Sequence, residues 1–358
     1  MSQLMPTSSK SKIVLGMMSG TSLDGLDLAL VQIDNDPSKS SFQLLSCQTI
    51  PYPEYWLTQL RQMEQYNGEK LWQYHKEFGR YLGQQAQAFL GNRSVDLIAS
   101  HGHTLFHRPD LGYTFQAGCG QEIARITGMQ TVADFRSKDV SLGGQGAPLV
   151  PIGDRDLFSS YEACLNLGGF ANIGFSRKGQ RLAFDICPAN YVLNHYARKL
   201  GLPYDKSGEI ARRHSVNEAL LDQLESLPYY TSAPPKSLGR EWVEKWIFPL
   251  IDSFDLKPEE AIATMTQHIF RQLKRVAEAY ELDSILVTGG GAYNSYLLEL
   301  LNQSSPGKWT LPEAQIIEFK EAIIFAYLGW LRLHNQANCL SDVTGAKRDN
   351  SGGVIFDP

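Results

Sequence analysis

Cysteine is sparse in this chain: five in 358 residues, Cys47, Cys119, Cys164, Cys187 and Cys339, with no pair closer than Cys164 and Cys187. An odd, scattered set excludes a disulfide framework and a CxxC metal site, and suits a reducing cytoplasm. Long apolar runs are missing as well. No stretch approaches the roughly 18 residues of a membrane span. Residues 1–11, MSQLMPTSSKS, lack the apolar region of a secretion signal and read as a frayed polar tail. Positive charge is not in surplus: 33 Lys and Arg against 38 Asp and Glu give a net charge of -5, with no basic run. That excludes an electrostatic footprint for nucleic acid or for an anionic membrane surface. Neither a GxxxxGKS/T phosphate loop nor a GxGxxG after the first strand occurs, which weighs against P-loop and Rossmann nucleotide sites.

What is present describes a globular, two-domain chain. Hydrophobic residues make up 43% and charged residues 20%, enough for real cores and too apolar for disorder. Ile13–Met18 and Leu26–Ile33 read as buried strands joined by turn chemistry, and 54–90 carries helical patterning. Val95–Ser100 reads as a short strand followed by a polar turn, His101-Gly102-His103-Thr104. Residues 136–154, rich in Gly and Pro, read as a long loop at a domain boundary. The expected domains are 1–145 and 146–358, the last helix packing back on the first. In the second domain three short strands are expected near 163–167, 171–175 and 181–186. Ile262, Met265, Ile269, Leu273, Val276 and Tyr280 form one face of a helix opened by Pro258.

Four segments carry candidate chemistry. In Gly16–Asp27 two strands flank a turn of Gly, Ser, Thr and Asp, whose backbone N–H groups, hydroxyls and acids suit a phosphate and its cation; an ordinary surface hairpin has the same composition. Leu165–Ile173 repeats strand, small-residue turn and strand, and by itself equally describes a core hairpin. Asp185 ends an apolar strand, where a carboxylate with little around it suits a general base; an N-cap of a helix opened by Pro188 is the alternative. Val287–Asn294 leads from strand through Gly289, Gly290 and Gly291 to a helix, an arrangement suited to a nucleotide or to a plain turn. His101, His103 and His107 lack partners of zinc-site spacing, so hydrogen bonding or a structural role is preferred over a metal. Arg136 offers a guanidinium to a carboxylate, such as that of an acidic sugar, or to a surface salt bridge.

Taken together, the segments GMMSGTSLDGLD (16–27), SHGHTLFHRP (100–109), DFRSKDVSLGGQGAPLVP (134–151), LNLGGFAN (165–172), FDICPAN (184–190), YDKSGEIA (204–211), PPKSLGRE (234–241), TGGGAYN (288–294), KEAIIFAYLGW (320–330) and VTGA (343–346) resemble the anhydro-N-acetylmuramic acid kinases. These form a branch of the sugar kinase/heat-shock ATPase/actin superfamily, and the likeness runs over about 12–356. It implies an α/β fold of two RNase H-like, actin-like ATPase domains with mixed sheets, helices on their flanks and a central cleft. It also implies a reaction of peptidoglycan recycling: water opens the anhydro bridge of 1,6-anhydro-N-acetylmuramic acid and ATP phosphorylates the freed O6. Asp185 would be the base for that water. Gly20, Thr21, Ser22, Leu23, Asp24, Gly25, Leu26 and Asp27 would form the ATP phosphate hairpin, with Gly168, Gly169, Gly289, Gly290 and Gly291 also on the nucleotide. His101, Thr104, Arg136, Asn190 and Glu321 would lie near the sugar, and Asp24 near Mg²⁺. The expected partners are the anhydro sugar and ATP, with a homodimer as a family expectation. The alternatives are a kinase for another amino sugar, or a non-catalytic binder of nucleotide or cell-wall fragments. The chain departs from the family pattern at Ile186-Cys187, where Thr-Gly is usual, and at His103, where Gln is usual. It departs again at Gly153-Asp154, where a histidine usually follows APLVP.

Overall fold

A computed structural model describes residues 11–20, 23–34 and 40–358. Internal contacts divide the chain into two units, Met1–Leu157 with Phe319–Pro358, and Phe158–Glu318.

In the first unit, β1 (Lys12–Ser19), β2 (Leu26–Ile33) and β3 (Phe42–Ile50) form an antiparallel meander. β4 (Leu97–Arg108) runs parallel to β1, β5 (Tyr113–Ala117) folds back on the end of β4, and β6 (Thr131–Ala133) is parallel to β4. The C-terminal strand Val354–Phe356 pairs with β6, giving the order C-terminal strand-β6-β4-β1-β2-β3. β1 and β2 are apolar nearly throughout because helices cover both faces of the sheet. On one face Leu15, Met17, Leu28 and Leu30 pack with Trp56, Phe78 and Leu82, from the helices Glu54–Gln62 and Gly68–Leu90. On the other lies the helix Ala314–Leu333, where Gly16 abuts Ala322 and Gly329 abuts Ala99.

The second unit repeats this plan. β7 (Ala163–Leu167), β8 (Phe170–Arg177) and β9 (Gln180–Pro188) form the meander, and β10 (Ile285–Thr288) and β11 (Trp309–Thr310) add parallel strands. With β5 and the C-terminal strand set aside, both sheets run third-second-first-fourth-fifth in their own strand order. This is the mixed α/β arrangement that the RNase H-like expectation requires. The helix Pro258–Ala279 buries Ile262, Met265 and Ile269 completely and Leu273 nearly so. Its start is fixed by Pro258 at the first position and by the Glu260 carboxylate, which accepts the Lys257 N–H at 3.2 Å.

Three local expectations change. The supposed turn at 101–104 is the middle of β4, carried through by the left-handed φ of 72° at Gly102. The supposed loop at 136–154 holds short helices at Ser137–Ser141 and Val150–Leu157. Pro188 ends β9 instead of opening a helix; the helix begins at Asn190.

Helix-on-sheet contact at Gly16 leaves no room for a methyl group, because a Cβ there would collide with the Ala322 carbonyl and the Ala326 N–H. Backbone cannot step aside as a side chain can, so Gly16→Ala should cost roughly 1–3 kcal/mol or more. A Tm within about 1 °C of the parent protein would contradict this packing.

Candidate functional site

β1 delivers Ser19 to the head of the 20–25 turn. Ser19 is buried; its Oγ accepts the Tyr52 hydroxyl at 2.7 Å and lies 2.9 Å from His103 Nδ1. Burial lowers the His103 pKa to about 4, so the ring is neutral at pH 7. Beyond Ser19, the Leu23 N–H closes on the Gly20 carbonyl at 3.2 Å, Asp24 is exposed, and Asp27 accepts the Thr49 hydroxyl at 2.6 Å. Leu26 is core. Thr21 and Ser22 lie outside the described residues.

The three histidines part company. Residues two apart on a regular strand share a face, but the turn at Gly102 sends His101 and His103 to opposite sides. His101 packs 4.7 Å from the Phe325 ring and His103 6.5 Å from the Phe78 ring, while His107 is exposed beside Thr114. His101 meets Arg136 instead. Its Nδ1–H donates to the Gly102 carbonyl at 2.9 Å, and its Nε2 accepts Arg136 Nε at 3.1 Å and Nη2 at 2.9 Å. Burial, then the guanidinium, hold its pKa well below the ordinary value. Arg136 Nη1 donates to the Gly146 carbonyl at 2.7 Å. A guanidinium has five N–H groups; these bonds use three, leaving one on each terminal nitrogen, a fork suited to a carboxylate.

Asp139, which sequence reasoning passed over, shapes this fork. It is fully buried, accepts the Gly146 N–H at 2.8 Å, and ties in Thr344 at 2.9 Å and Asn350 at 2.8 Å. The glycine loop 143–146 is therefore pinned on both sides of Gly146. Glu321, on the helix Ala314–Leu333, is exposed, yet surrounding protein raises its carboxyl pKa against the lowering pull of Arg136 and Lys320. Asp27 and Asp154 push the same way as the desolvation by surrounding protein; Asp154 itself is in a buried ion pair with Lys320 at 2.9 Å. Thr104 is half-buried on β4, opposite Gln116.

In the second unit the glycines fit around β7. The Gly168 and Gly169 carbonyls accept the N–H groups of Asn190 at 3.2 Å and of Ala189 at 2.8 Å, so this hairpin caps the helix Asn190–Lys199. Asn190 Nδ2 donates to the Leu167 carbonyl at 3.1 Å. Gly289 has a φ of 82°, and a Cβ on it or on Gly291 would strike the Leu167 backbone. Gly290 alone is open and exposed, with nothing nearer to its Cβ position than Asn190 Nδ2 at 3.9 Å.

Asp185 is not a helix cap. It lies on β9 opposite Asn172, one residue before a bulge at Ile186. Its Oδ2 accepts the Leu238 N–H at 2.8 Å, and no hydrogen bond to Oδ1 occurs among the described residues. Burial raises its pKa and the Leu238 bond only partly offsets this. A half-desolvated carboxylate with one restrained and one open oxygen is equipped to take a proton. Ile186 and Cys187 point into the core, at 2% and 0% exposure, and burial pushes the Cys187 thiol up. All five cysteines are free thiols. Among the described residues no group of three or more His, Cys, Asp or Glu is placed to hold a metal, and no helix is long and apolar enough to cross a membrane.

A family model described as anhydro-N-acetylmuramic acid kinase matches residues 12–358. Proteins named anhydro-N-acetylmuramic acid kinase are similar along nearly their whole length. That of Vibrio cholerae is 35% identical over 370 residues, covering 97% of this chain and 99% of its own. That of Hydrogenovibrio crunogenus is 33% identical over 367 residues, covering 97% and 99%. Among solved structures, a ROK family glucokinase from Streptomyces griseus in complex with glucose and AMPPNP aligns with a TM-score of 0.41 and 12% identity, over 89% of this chain and 99% of its own.

The buried His103 gives a pH test. Its ordinary pKa of 6.5 falls to about 4 in the fold, so the unfolded chain binds the proton first as pH drops. Its stabilisation is complete above pH 6.5 and is lost as pH falls toward 4, by at most about 3 kcal/mol. His103→Gln keeps an acceptor for Ser19 but cannot titrate. Its Tm should fall less steeply between pH 6.5 and 4 than that of the parent; an equal slope would contradict the assignment.

Proposed function

Because the chain belongs to the anhydro-N-acetylmuramic acid kinase family, we propose that it uses ATP and water to convert 1,6-anhydro-N-acetylmuramic acid into N-acetylmuramic acid 6-phosphate and ADP. The observation that carries this reading is the Asp185 carboxylate, with Oδ2 on the Leu238 N–H and Oδ1 open. Oδ1 takes a proton from a water as the water oxygen bonds to the anomeric carbon. The bond from that carbon to O6 breaks, its electron pair stays on O6, and O6 bonds to the γ-phosphorus of ATP. ADP leaves with the electrons of the broken phosphoanhydride bond.

Arg136 presents its two remaining N–H groups to the carboxylate of the sugar, held in orientation by His101 and Gly146. His101, Thr104, Asn190 and Glu321 line the sugar. Gly20–Asp27 hold the phosphates, and Gly168, Gly169, Gly289, Gly290 and Gly291 lie along the nucleotide. The second unit supports that last role modestly: Gly290 is open, whereas Gly289 and Gly291 have their own packing reasons. Mg²⁺ bound chiefly by phosphate oxygens and water needs only one or two protein carboxylates, and exposed Asp24 on the hairpin fits that donor set. When bound it would neutralise phosphate charge. The inward orientation of Ile186 and Cys187 supports retention of the family's substrate. The free thiols, four of them buried, support a reducing cytoplasm.

Incubation with ATP and a panel of amino sugars, read by mass, tests the reading. The anhydro sugar should gain one water and one phosphoryl group, and Asp185→Asn should lower the rate roughly 10²–10⁴-fold. Phosphorylation of a different sugar would replace the substrate; sugar binding without ADP release would replace catalysis with sensing.

A further inference from the structure

The segment from Tyr229 to Leu238 has no assigned role, yet its two ends close on Asp185. The Tyr229 hydroxyl donates to the Asp185 carbonyl at 2.6 Å. Lys236 Nζ donates to the Tyr229 carbonyl at 3.0 Å. The Asp185 N–H donates to the Lys236 carbonyl at 3.2 Å. These three bonds close a ring through Asp185, Tyr229 and Lys236, and two residues later the Leu238 N–H reaches Asp185 Oδ2 at 2.8 Å. Packing stiffens the ring. The Tyr229 ring lies 5.3 Å from Trp242 and 5.7 Å from Tyr230, and Lys236 Nζ sits 4.6 Å over the Tyr229 ring and 5.9 Å over Phe184.

We propose that Tyr229 and Lys236 are positioning residues of the phosphorylation reaction, forming a strap that keeps the Leu238 N–H on Oδ2 and so dedicates Oδ1 of Asp185 to the attacking water. The inference rests on the reading of Asp185 as the base. Both backbone groups of Asp185 are anchored by the strap, which fixes its main chain relative to the Leu238 N–H, so one carboxylate oxygen meets that donor and the other is left to the water. Burying Asp185 favours its protonated form, and a donor on Oδ2 opposes this. Lys236 is half-buried and burial lowers its pKa. The groups acting on it, Arg275 and Cys187, leave the ammonium's bond to the Tyr229 carbonyl as its anchoring contact. A Tyr at 229 and a Lys at 236 are thus needed for their hydroxyl and ammonium, not merely their bulk.

Tyr229→Phe deletes one oxygen and Lys236→Met deletes the ammonium at similar length. For each, kcat should fall roughly 10-fold while KM for the anhydro sugar and for ATP stays within about 2-fold. The acid limb of the kcat/KM profile should move to higher pH, because Asp185 loses a donor to its charged form. Lys236→Arg should restore most of the rate. A strap that only stabilised the fold would lower Tm and leave the acid limb in place, and that result overturns the proposal. If Tyr229→Phe does not fold, Lys236→Met carries the same two readouts. Asp185→Asn assayed in parallel separates the two ideas. An inactive Asp185→Asn beside an unaltered Tyr229→Phe overturns the strap alone, and an active Asp185→Asn overturns the base and the strap together.

Discussion

A carboxylate must stay charged where water is scarce if it is to take a proton from one chosen water molecule. In the proposed reaction that constraint falls on Asp185, and the Tyr229–Leu238 segment closes on it. Desolvation favours the protonated acid, and a single backbone donor, Leu238 N–H, restrains the tendency. The opposite arrangement, several donors on both oxygens, would hold the carboxylate ionised but too weakly basic. Leaving Oδ1 without a hydrogen-bond partner among the described residues would keep the proposed base usable.

The same economy of donors occurs in the first unit. Arg136 spends three of its N–H groups on His101 and Gly146, and those acceptors are themselves fixed. His101 is locked in one tautomer by the Gly102 carbonyl, and Gly146 is locked by buried Asp139. A guanidinium so held presents its remaining fork in one orientation, which lowers the entropy lost on meeting a planar anion. Ser19, Tyr52 and His103 likewise tie down the end of β1, as a buried chain of hydroxyl, hydroxyl and neutral imidazole.

Much of this was legible in the sequence because it follows from local pattern. The strands Leu26–Ile33 and Ile285–Thr288 and the helix opened by Pro258 needed only apolar runs, period and a starting proline. The 101–104 segment was misread because Gly and His look like turn residues, and only sheet pairing shows that a left-handed glycine can carry a strand through. The 136–154 segment was misread because its glycines and prolines hid two short helices. Asp139 escaped notice since its partners, Thr344 and Asn350, come from the far end of the chain. The Tyr229–Leu238 strap escaped for the same reason: Pro-Pro-Lys announces a rigid turn, but nothing local says that it closes on Asp185. Ile186-Cys187 departs from the family pattern, and the bulge on β9 turns both into the core.

In the proposed reaction, water activated at Asp185 becomes the anomeric oxygen while O6 of the opened sugar receives the phosphoryl group. Turnover of the 1,6-anhydro sugar with ATP in ¹⁸O-enriched water tests it most directly, with the product trapped before its anomeric oxygen can exchange. Label is expected on the anomeric oxygen and none in the sugar phosphate. Label in the phosphoryl group, or an unlabelled anomeric oxygen bearing the phosphate, would contradict it.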